Sequence, residues 1–272
     1  MSYKLLALDM DGTLLSSNKT VLPRTSAVLE ELASKGTPLA YCTGRNRLEL
    51  LDWPSTLPFI RYGVLASGAI VHDFGTDETL GVRSLDAEVL VRAMQIANAE
   101  EHMTHVMAIR ESVVRPADIV RMERFGMGVY QGMFERICTL EEDLPAWVRA
   151  NPGQVVKLNF YHVAPDARDR TRERLAKAGL PLTLANAEKT SVECSALGVS
   201  KAQGLAELAD ALGIGLDQVV AIGDSDNDAQ ALAAVGMPVA MGNASPAIKD
   251  MAKLVVADND HDGIAEAVEQ LF

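Results

Sequence analysis

Two aspartates directly follow a short apolar run near the beginning of the chain. Residues 5–8 are all apolar, and Asp9, Asp11 and Gly12 come immediately after them. A continuous apolar run bounded by glycine predicts a strand that is covered on both faces, as in a parallel sheet. Open parallel sheets bind their ligands beyond the carboxyl ends of the strands. The sequence therefore predicts a functional site at these two aspartates.

The spacing of the two aspartates predicts that a positive group lies beside them. On a continuing strand, residues 9 and 11 would point to the same face, and Gly12 would then allow the backbone to turn away. Neighbouring carboxylates repel each other unless a cation or a shared proton relieves the repulsion. We therefore expect a cation at this position.

The two ends of the chain alternate between helix and strand patterns. In the first part, helices are predicted at 24–35 and 46–52, and strands at 4–9, 37–42 and 62–66. In the last part, helices are predicted at 201–212, 226–235, 246–251 and 263–271, and strands at 218–222, 237–241 and 254–257. This alternation is typical of βαβ units. The predicted fold is α/β, a doubly wound parallel-sheet (Rossmann-like) core that both ends of the chain form together.

The interval between Arg45 and Lys201 is too long for one crossover connection, which typically takes about 10 to 40 residues. We interpret residues 83–189 as an inserted second domain, and residues 1–82 and 190–272 as the core. The insert mixes predicted helices at 86–100, 140–149 and 166–178 with strands at 104–109, 154–161 and 182–185, and a further strand is predicted at 190–194, just beyond its boundary. This order is typical of an α+β domain with helices on one face of its sheet.

Composition excludes several classes of function. The chain has 37 acidic and 25 basic residues among 272, for a formal net charge of −12. This charge argues against a general binder of nucleic acid or of anionic membranes. The three cysteines are widely spaced and form no disulfide framework, and no apolar stretch reaches the roughly 18 residues of a membrane span. The N-terminus lacks the shape of a signal peptide, so we expect a cytoplasmic protein with a small-molecule partner. The oligomeric state stays open.

Residues with phosphate chemistry follow several of the predicted strands. Asp9, Asp224 and Asp228 are hard oxygen ligands without histidine or cysteine nearby, a set that suits Mg²⁺. Thr43 offers a hydroxyl and Gly44 leaves backbone donors open, so the pair can bind a phosphoryl group. Lys201 is a compact charge that can offset carboxylates and phosphate oxygens together. Phosphoryl transfer needs chiefly positioning and charge neutralisation, and an aspartate in line with phosphorus can attack it.

Four segments resemble, in the right order, the four motifs of the haloacid dehalogenase superfamily. They are residues 9–13 (Asp-Met-Asp-Gly-Thr), 43–45 (Thr-Gly-Arg), Lys201 and 223–228 (Gly-Asp-Ser-Asp-Asn-Asp). The long insert is similar to the cap domain of the Cof-like hydrolase, or sugar phosphatase, branch. Residues 199–201, 241–244 and 259–264 resemble that branch as well. The resemblance covers essentially the whole chain.

The resemblance implies a role for each matching residue. Asp9 would be the nucleophile and a Mg²⁺ ligand, and Asp11 the general acid and base, with its backbone carbonyl also on the metal. Thr43, Gly44, Lys201 and Asn227 would bind the phosphate, and Asp224 and Asp228 would complete the metal site. One position departs from the pattern, because Ser67 stands where this branch more often has asparagine. Within the insert, Lys157 lies in an apolar strand and is a candidate substrate contact.

The sequence thus predicts a Mg²⁺-dependent phosphatase that hydrolyses a small phosphate ester, with sugar phosphates first, through an aspartyl-phosphate. Two alternatives remain. A phosphomutase would use the same aspartyl-phosphate and return the group to the sugar. A non-catalytic phospho-receiver would signal through the phosphorylated aspartate. The insert and Asp11 favour an enzyme over a receiver, which needs neither; nothing in the sequence separates phosphatase from mutase.

Overall fold

The computed structural model describes residues 3–50, 57–186 and 189–272. The chain divides into two compact units. The first comprises Met1–Arg45, Leu50–Gly81 and Ser200–Phe272, and the second comprises Asn46–Glu49 and Val82–Val199. Within the described ranges, no helix combines the length and the apolar character that crossing a membrane requires.

The first unit is built on an eight-stranded sheet. Its strands are β1 Leu5–Leu8, β2 Leu39–Cys42, β3 Tyr62–Leu65, β4 Ile70–Asp73, β5 Glu78–Val82, β12 Val219–Gly223, β13 Met237–Ala240 and β14 Leu254–Val255. The strand order is β14-β13-β12-β1-β2-β3-β4-β5. The six strands from β14 to β3 run parallel, and β4 pairs antiparallel with β3. All residues of β1, β2 and β12 are buried, which explains their continuous apolar runs.

The order in which the chain adds strands to this sheet reverses at β1. From β1 the chain proceeds to β2 and β3 on one side, whereas β12, β13 and β14 follow one another on the other side. Leu8 at the end of β1 lies between Tyr41 of β2 and Ile222 of β12. Such a switch point leaves a crevice beyond the strand ends, where doubly wound sheets bind ligands. The motif residues after β1, β2 and β12 therefore follow three adjacent strands.

Helices complete the first unit. They are α1 Pro23–Ser34, α7 Lys201–Ala211, α8 Ala229–Ala234, α9 Pro246–Met251 and α10 Gly263–Leu271. Leu205 and Leu208 of α7, Leu232 of α8 and Ile248 of α9 pack in one apolar cluster with Leu5 of β1. Side chains of successive strand residues point to opposite faces. Leu6 and Leu8 therefore face the other side of the sheet and are fully buried, and α1 and α10 contact each other.

The second unit has a six-stranded sheet in the order β10-β11-β9-β6-β7-β8. Its strands are β6 His102–Ala108, β7 Ser112–Val114, β8 Cys138–Leu140, β9 Val155–His162, β10 Leu182–Ala185 and β11 Ser191–Ala196. Its helices are α2 Ala87–Ala97, α3 Pro116–Ile119, α4 Gln131–Ile137, α5 Leu144–Ala150 and α6 Pro165–Lys177. The pairs are antiparallel except β7 with β8. Phe160, Val106 and Val192 on one sheet face join the apolar cluster that includes residues of α2, α5 and α6.

Short 3₁₀ helices lie at Leu48–Leu50, Ala66–Gly68, Met122–Phe125, Gly128–Tyr130, Leu216–Gln218 and Asp226–Asp228. Two of them correct predicted α-helices. The helix predicted at 46–52 is a single 3₁₀ turn in its described part, and residues 51 and 52 lie outside the described residues. The helix predicted at 226–235 begins with a 3₁₀ turn because the Asp228 carboxylate accepts hydrogen bonds from the backbone of residues 224 and 225.

The core is the predicted doubly wound α/β fold, so the predicted fold class is confirmed. Residues 190–199, which we expected in the core, lie in the second unit instead, because β11 pairs along its length with β9. The sequence also left β4, β5, β7, β8, α3 and α4 unassigned. These elements are three to seven residues long, too short to show a clear period.

Candidate active site

The segment after β1 leaves the sheet in a tight turn. The amide of Thr13 donates to the carbonyl of Met10, and Gly12 has a φ of +87°. A Cβ atom at Gly12 would overlap the carboxylate of Asp224, so only glycine fits this position. The sequence predicted Asp9 and Asp11 on one face of a continuing strand. The strand instead ends at Leu8 and the chain turns, so the two aspartates do not share a strand face in this way.

Lys201 lies at the centre of a buried network of motif residues. Its Nζ atom donates to Oδ1 of Asp9 at 2.7 Å, to Oδ1 of Asp228 at 2.6 Å and to Oδ1 of Asn227 at 3.1 Å. The side chain of Lys201 is 1% exposed. An ammonium group provides three donors and no acceptor. These three contacts match its full donor capacity, so the lysine joins the segments after β1 and β12.

The charges of this network shift the pKa values of its members. Burial, followed by the charge of Asp228, raises the pKa of Asp9 to about 8. Burial alone would lower the pKa of Lys201, but the nearby Asp228 and Asp9 carboxylates raise it above its usual value. Burial also raises the pKa of Asp224 to about 6. One lysine therefore leaves an excess of negative charge at this site.

Three carboxylates could hold a metal ion. One oxygen each from Asp9, Asp224 and Asp228 lie within 4.8 Å of one another. Thr13 donates to Asp224 at 2.9 Å, and the side-chain amide of Asn243 lies 3.4 Å from the same carboxylate. The donors are all oxygen, and burial raises the pKa of both Asp9 and Asp224. Both observations fit a hard divalent cation.

The carboxylate of Asp11 is held apart from this cluster by two cations. Arg45 contacts it through two hydrogen bonds, from Nε at 2.8 Å and from a terminal nitrogen at 2.8 Å. Nζ of Lys19 donates to it at 2.7 Å. Burial would raise the pKa of Asp11, but hydrogen bonds from Arg45 and Lys19 lower it to about 2. Different cations therefore neutralise the two carboxylates. Lys201 contacts Asp9, whereas Arg45 and Lys19 contact Asp11.

Thr43 and Gly44 follow β2, the strand next to β1. Thr43 is buried, and its Oγ1 accepts a hydrogen bond from the amide of Arg45 at 3.2 Å. The backbone of this loop is held by the 3₁₀ turn that follows β3. The amide of Ala66 donates to the carbonyl of Arg45, and the amide of Ser67 donates to the carbonyl of Thr43. The segment after β3 therefore sets the path of the loop that carries Thr43.

Ser67, which stands where this branch more often has asparagine, lies in a left-handed stretch of backbone. Ser67 has a φ of +61°, and its neighbours Ala66 and Gly68 also have positive φ values. Asparagine tolerates the left-handed region better than serine because its short polar side chain can bond locally. The asparagine that this branch more often carries would therefore suit the backbone here at least as well.

Close packing of two glycines places the helix that begins with Lys201. A Cβ atom at Gly68 would overlap the backbone of Ser200, and one at Gly204 would come within 2.6 Å of Val64 and 2.9 Å of Gly68. The hydroxyl of Ser200 accepts from the amide of Gln203, which caps α7. The helix start is therefore seated directly on the 3₁₀ turn after β3.

We predict that Gly204→Ala lowers the free energy of unfolding by about 1 to 3 kcal/mol, because the added methyl group forces α7 away from Val64. Gly132→Ala is the matched control, because a Cβ atom there meets only an arginine nitrogen at 3.8 Å. Urea denaturation of both variants measures the difference. Equal stability of the two variants would contradict the packing argument.

The structure brings together Asp9, Lys201, Asp224, Asn227 and Asp228 directly. Thr43 and Gly44 lie at the end of the adjacent strand, and Asp11 lies on the same loop as Asp9 but with its own partners. Lys157, the candidate contact in the insert, is fully buried and pairs with Glu193 at 2.5 Å inside the second unit. Sequence reasoning missed Lys19 and gave Arg45 no role. Nothing in the sequence around Lys19 indicates its contact with Asp11.

Comparison with protein families identifies the family over nearly the whole chain. The model of the haloacid dehalogenase-like hydrolase family matches residues 6–268. The chain belongs to this family. The resemblance that the four motifs indicated is therefore confirmed, and the protein is a hydrolase of the haloacid dehalogenase superfamily.

Curated relatives align over almost their full length. A 5-amino-6-(5-phospho-D-ribitylamino)uracil phosphatase from Bacillus subtilis is 28% identical over 98% of this chain and 95% of its own. A pyridoxal phosphate phosphatase from Escherichia coli is 26% identical over 98% of both chains. A solved haloacid dehalogenase-like hydrolase from Bacillus subtilis superposes with a TM-score of 0.87 at 24% identity, covering 99% of this chain and all of the other. This structural likeness shows that the fold is shared.

Proposed function

We propose that this hydrolase is a Mg²⁺-dependent phosphatase that acts on a small phosphate monoester. Sugar phosphates are the substrate class that we propose first. The observation that carries the proposal is Lys201 between Asp9 and Asp228, beside a cluster of three carboxylates at the switch point of the sheet. Phosphoryl transfer needs a positioned nucleophile and neutralisation of the phosphate charge, and these residues supply both.

In the first step, a carboxylate oxygen of Asp9 attacks phosphorus, and the charge and hydrogen bond of Lys201 favour the ionised form that this attack requires. The new bond joins that oxygen to phosphorus, while the bond from phosphorus to the alcohol oxygen breaks. Asp11 gives a proton to the leaving oxygen, so the alcohol departs neutral. Thr43 and the amide of Gly44 bind the phosphoryl oxygens, and the charge of Lys201 offsets theirs. Asn227, which accepts from Lys201, orients the lysine.

In the second step, Asp11 takes a proton from water. The water oxygen attacks phosphorus, the bond between phosphorus and the Asp9 oxygen breaks, and inorganic phosphate leaves. The low pKa of Asp11 makes it a carboxylate at neutral pH, the form that this step requires. The first step requires the protonated form, and the negative charge of a bound phosphate ester favours it.

Asp9, Asp224 and Asp228 would hold Mg²⁺, together with the backbone carbonyl of Asp11. When bound, the ion would neutralise negative charge on the carboxylates and on the phosphoryl oxygens. Thr13 and Asn243 would keep the Asp224 carboxylate in place for it.

The names of the curated relatives support the substrate class. One relative acts on a molecule with a phosphorylated ribityl chain, and another acts on pyridoxal phosphate. Both molecules are small and phosphorylated, and ribityl is the residue of a sugar alcohol. We further propose that the first unit is the catalytic domain. The second unit, which is the inserted domain together with β11, would select the substrate.

The proposal is tested by measuring inorganic phosphate released from sugar phosphates, nucleotides, pyridoxal phosphate and p-nitrophenyl phosphate, with Mg²⁺ and with EDTA. We expect release that EDTA abolishes and that added Mg²⁺ restores. A mutase would instead interconvert sugar phosphates without net release, and a receiver would take phosphate from acetyl phosphate without turnover. Either of these results would contradict the phosphatase.

A further inference from the structure

We propose that Arg45 and Lys19 are positioning residues that orient Asp11 for proton transfer to the leaving alcohol. This inference rests on the proposed phosphatase function and assigns roles to two side chains that contact neither Asp9 nor the acidic cluster in the hydrogen bonds described above. We call the two cations with the Asp11 carboxylate the Asp11 clamp.

The clamp defines the plane of the carboxylate. Nε of Arg45 donates to Oδ2 and a terminal nitrogen donates to Oδ1, both at 2.8 Å, and Lys19 adds a third bond to Oδ1 at 2.7 Å. A guanidinium fork fixes both the position and the plane of a carboxylate. The Arg45 side chain is only 12% exposed, so this pair is more sheltered from solvent than an ordinary surface pair.

The backbone of Arg45 is itself held in place by hydrogen bonds. Arg45 is tied to the phosphate-binding loop, because its amide donates to Thr43 Oγ1 and its carbonyl accepts from Ala66. The clamp therefore couples the orientation of Asp11 to the loop that would bind the phosphate.

Lys19 lies in a strained turn. Its φ is +59°, and its amide donates to the carbonyl of Ser16, while the amide of Ser16 donates to the carbonyl of Thr20. A non-glycine residue in this region is strained and persists only where its surroundings enforce it. The neighbouring Ser17 is anchored on Asp260 through its amide and its hydroxyl. The turn thereby directs the ammonium group towards Asp11.

A purely structural pair and a positioning clamp make different predictions about substrates. Misplacing an acid group harms the departure of an alkoxide, which needs a proton, far more than that of p-nitrophenolate, which is stable without one. A loop that is merely loosened, or a phosphate site that is weakened, harms both substrates alike. The ratio of kcat/KM for an alkyl phosphate to kcat/KM for p-nitrophenyl phosphate therefore reports on Asp11 alone.

The experiment measures this ratio for the full-length protein and for Arg45→Met, Arg45→Lys and Lys19→Met, with the alkyl phosphate that the substrate panel ranks first. We expect the ratio to fall by about tenfold or more in both Arg45 variants, since lysine cannot form the fork, and by less in Lys19→Met. In an Asp11→Asn background, Arg45→Met should lower the ratio no further. Arg24→Met and Lys35→Met are the controls, because these side chains pair with Glu269 and Glu31 on the surface.

Equal losses on the two substrates would overturn the inference and leave the clamp a structural pair. A rise of the ratio in the Arg45 variants would also overturn it, since the clamp would then restrain Asp11. Lys19 is about half exposed, so Lys19→Met tests the inference even where the Arg45 variants fold poorly. The absence of phosphate release by the unmodified protein on every ester would contradict the proposed function instead.

Discussion

Replacing Asp9 by asparagine is expected to reduce phosphate release by at least about a thousandfold, because an amide is too weak a nucleophile to form the phosphoryl bond. Asp9 lies at the end of β1, where its amide donates to the carbonyl of Ile222 and Lys201 contacts its carboxylate. Its position is therefore set by the sheet and does not depend on a flexible loop. Phosphate release with saturating Mg²⁺ measures the loss.

The control for Asp9→Asn is Asp226→Asn, which changes an exposed aspartate of the same 223–228 segment and should leave the rate within about twofold, as is usual for surface positions. Circular dichroism shows whether each variant is folded. Substantial turnover by folded Asp9→Asn would exclude an aspartyl-phosphate on this residue and would require a different nucleophile.

Replacing Lys201 by methionine is expected to lower the free energy of unfolding by about 3 to 5 kcal/mol in EDTA. Removing one partner of a buried charge network leaves the other charges without compensation. Here the Asp9 and Asp228 carboxylates, both buried, would lose the cation that lies 2.7 and 2.6 Å from them. Urea denaturation measures the loss. Added Mg²⁺ should recover part of it, since a bound cation supplies the missing charge.

Two further variants separate charge from packing in Lys201→Met. The double variant Lys201→Met, Asp228→Asn removes one of the uncompensated carboxylates and should regain stability. Lys35→Met removes a surface lysine that pairs with Glu31 and should change stability by no more than about 0.5 kcal/mol. A loss below about 1 kcal/mol in Lys201→Met would show that the lysine is not what stabilises the two carboxylates.

The sequence by itself determined the core fold and which acidic residues meet at the strand ends. The uniformly apolar runs that became β1, β2 and β12 indicate strands buried on both faces, and parallel strands bring their carboxyl ends to one edge. Asp9, Asp224 and Asp228 follow two of these strands, so their convergence required no knowledge of side-chain contacts. The order of the motifs then indicated the family, because four matches in order constrain a chain far more than one.

Only the tertiary structure decided which groups neutralise which charges. The turn at Gly12 separates Asp11 from Asp9, and Arg45 and Lys19 reach Asp11 from two other loops. The pairing of β11 with β9 placed residues 190–199 in the second unit. These outcomes depend on register, turn geometry and contacts between residues far apart in the chain, whereas periodicity and motif spacing report only on local conformation and on the order of segments.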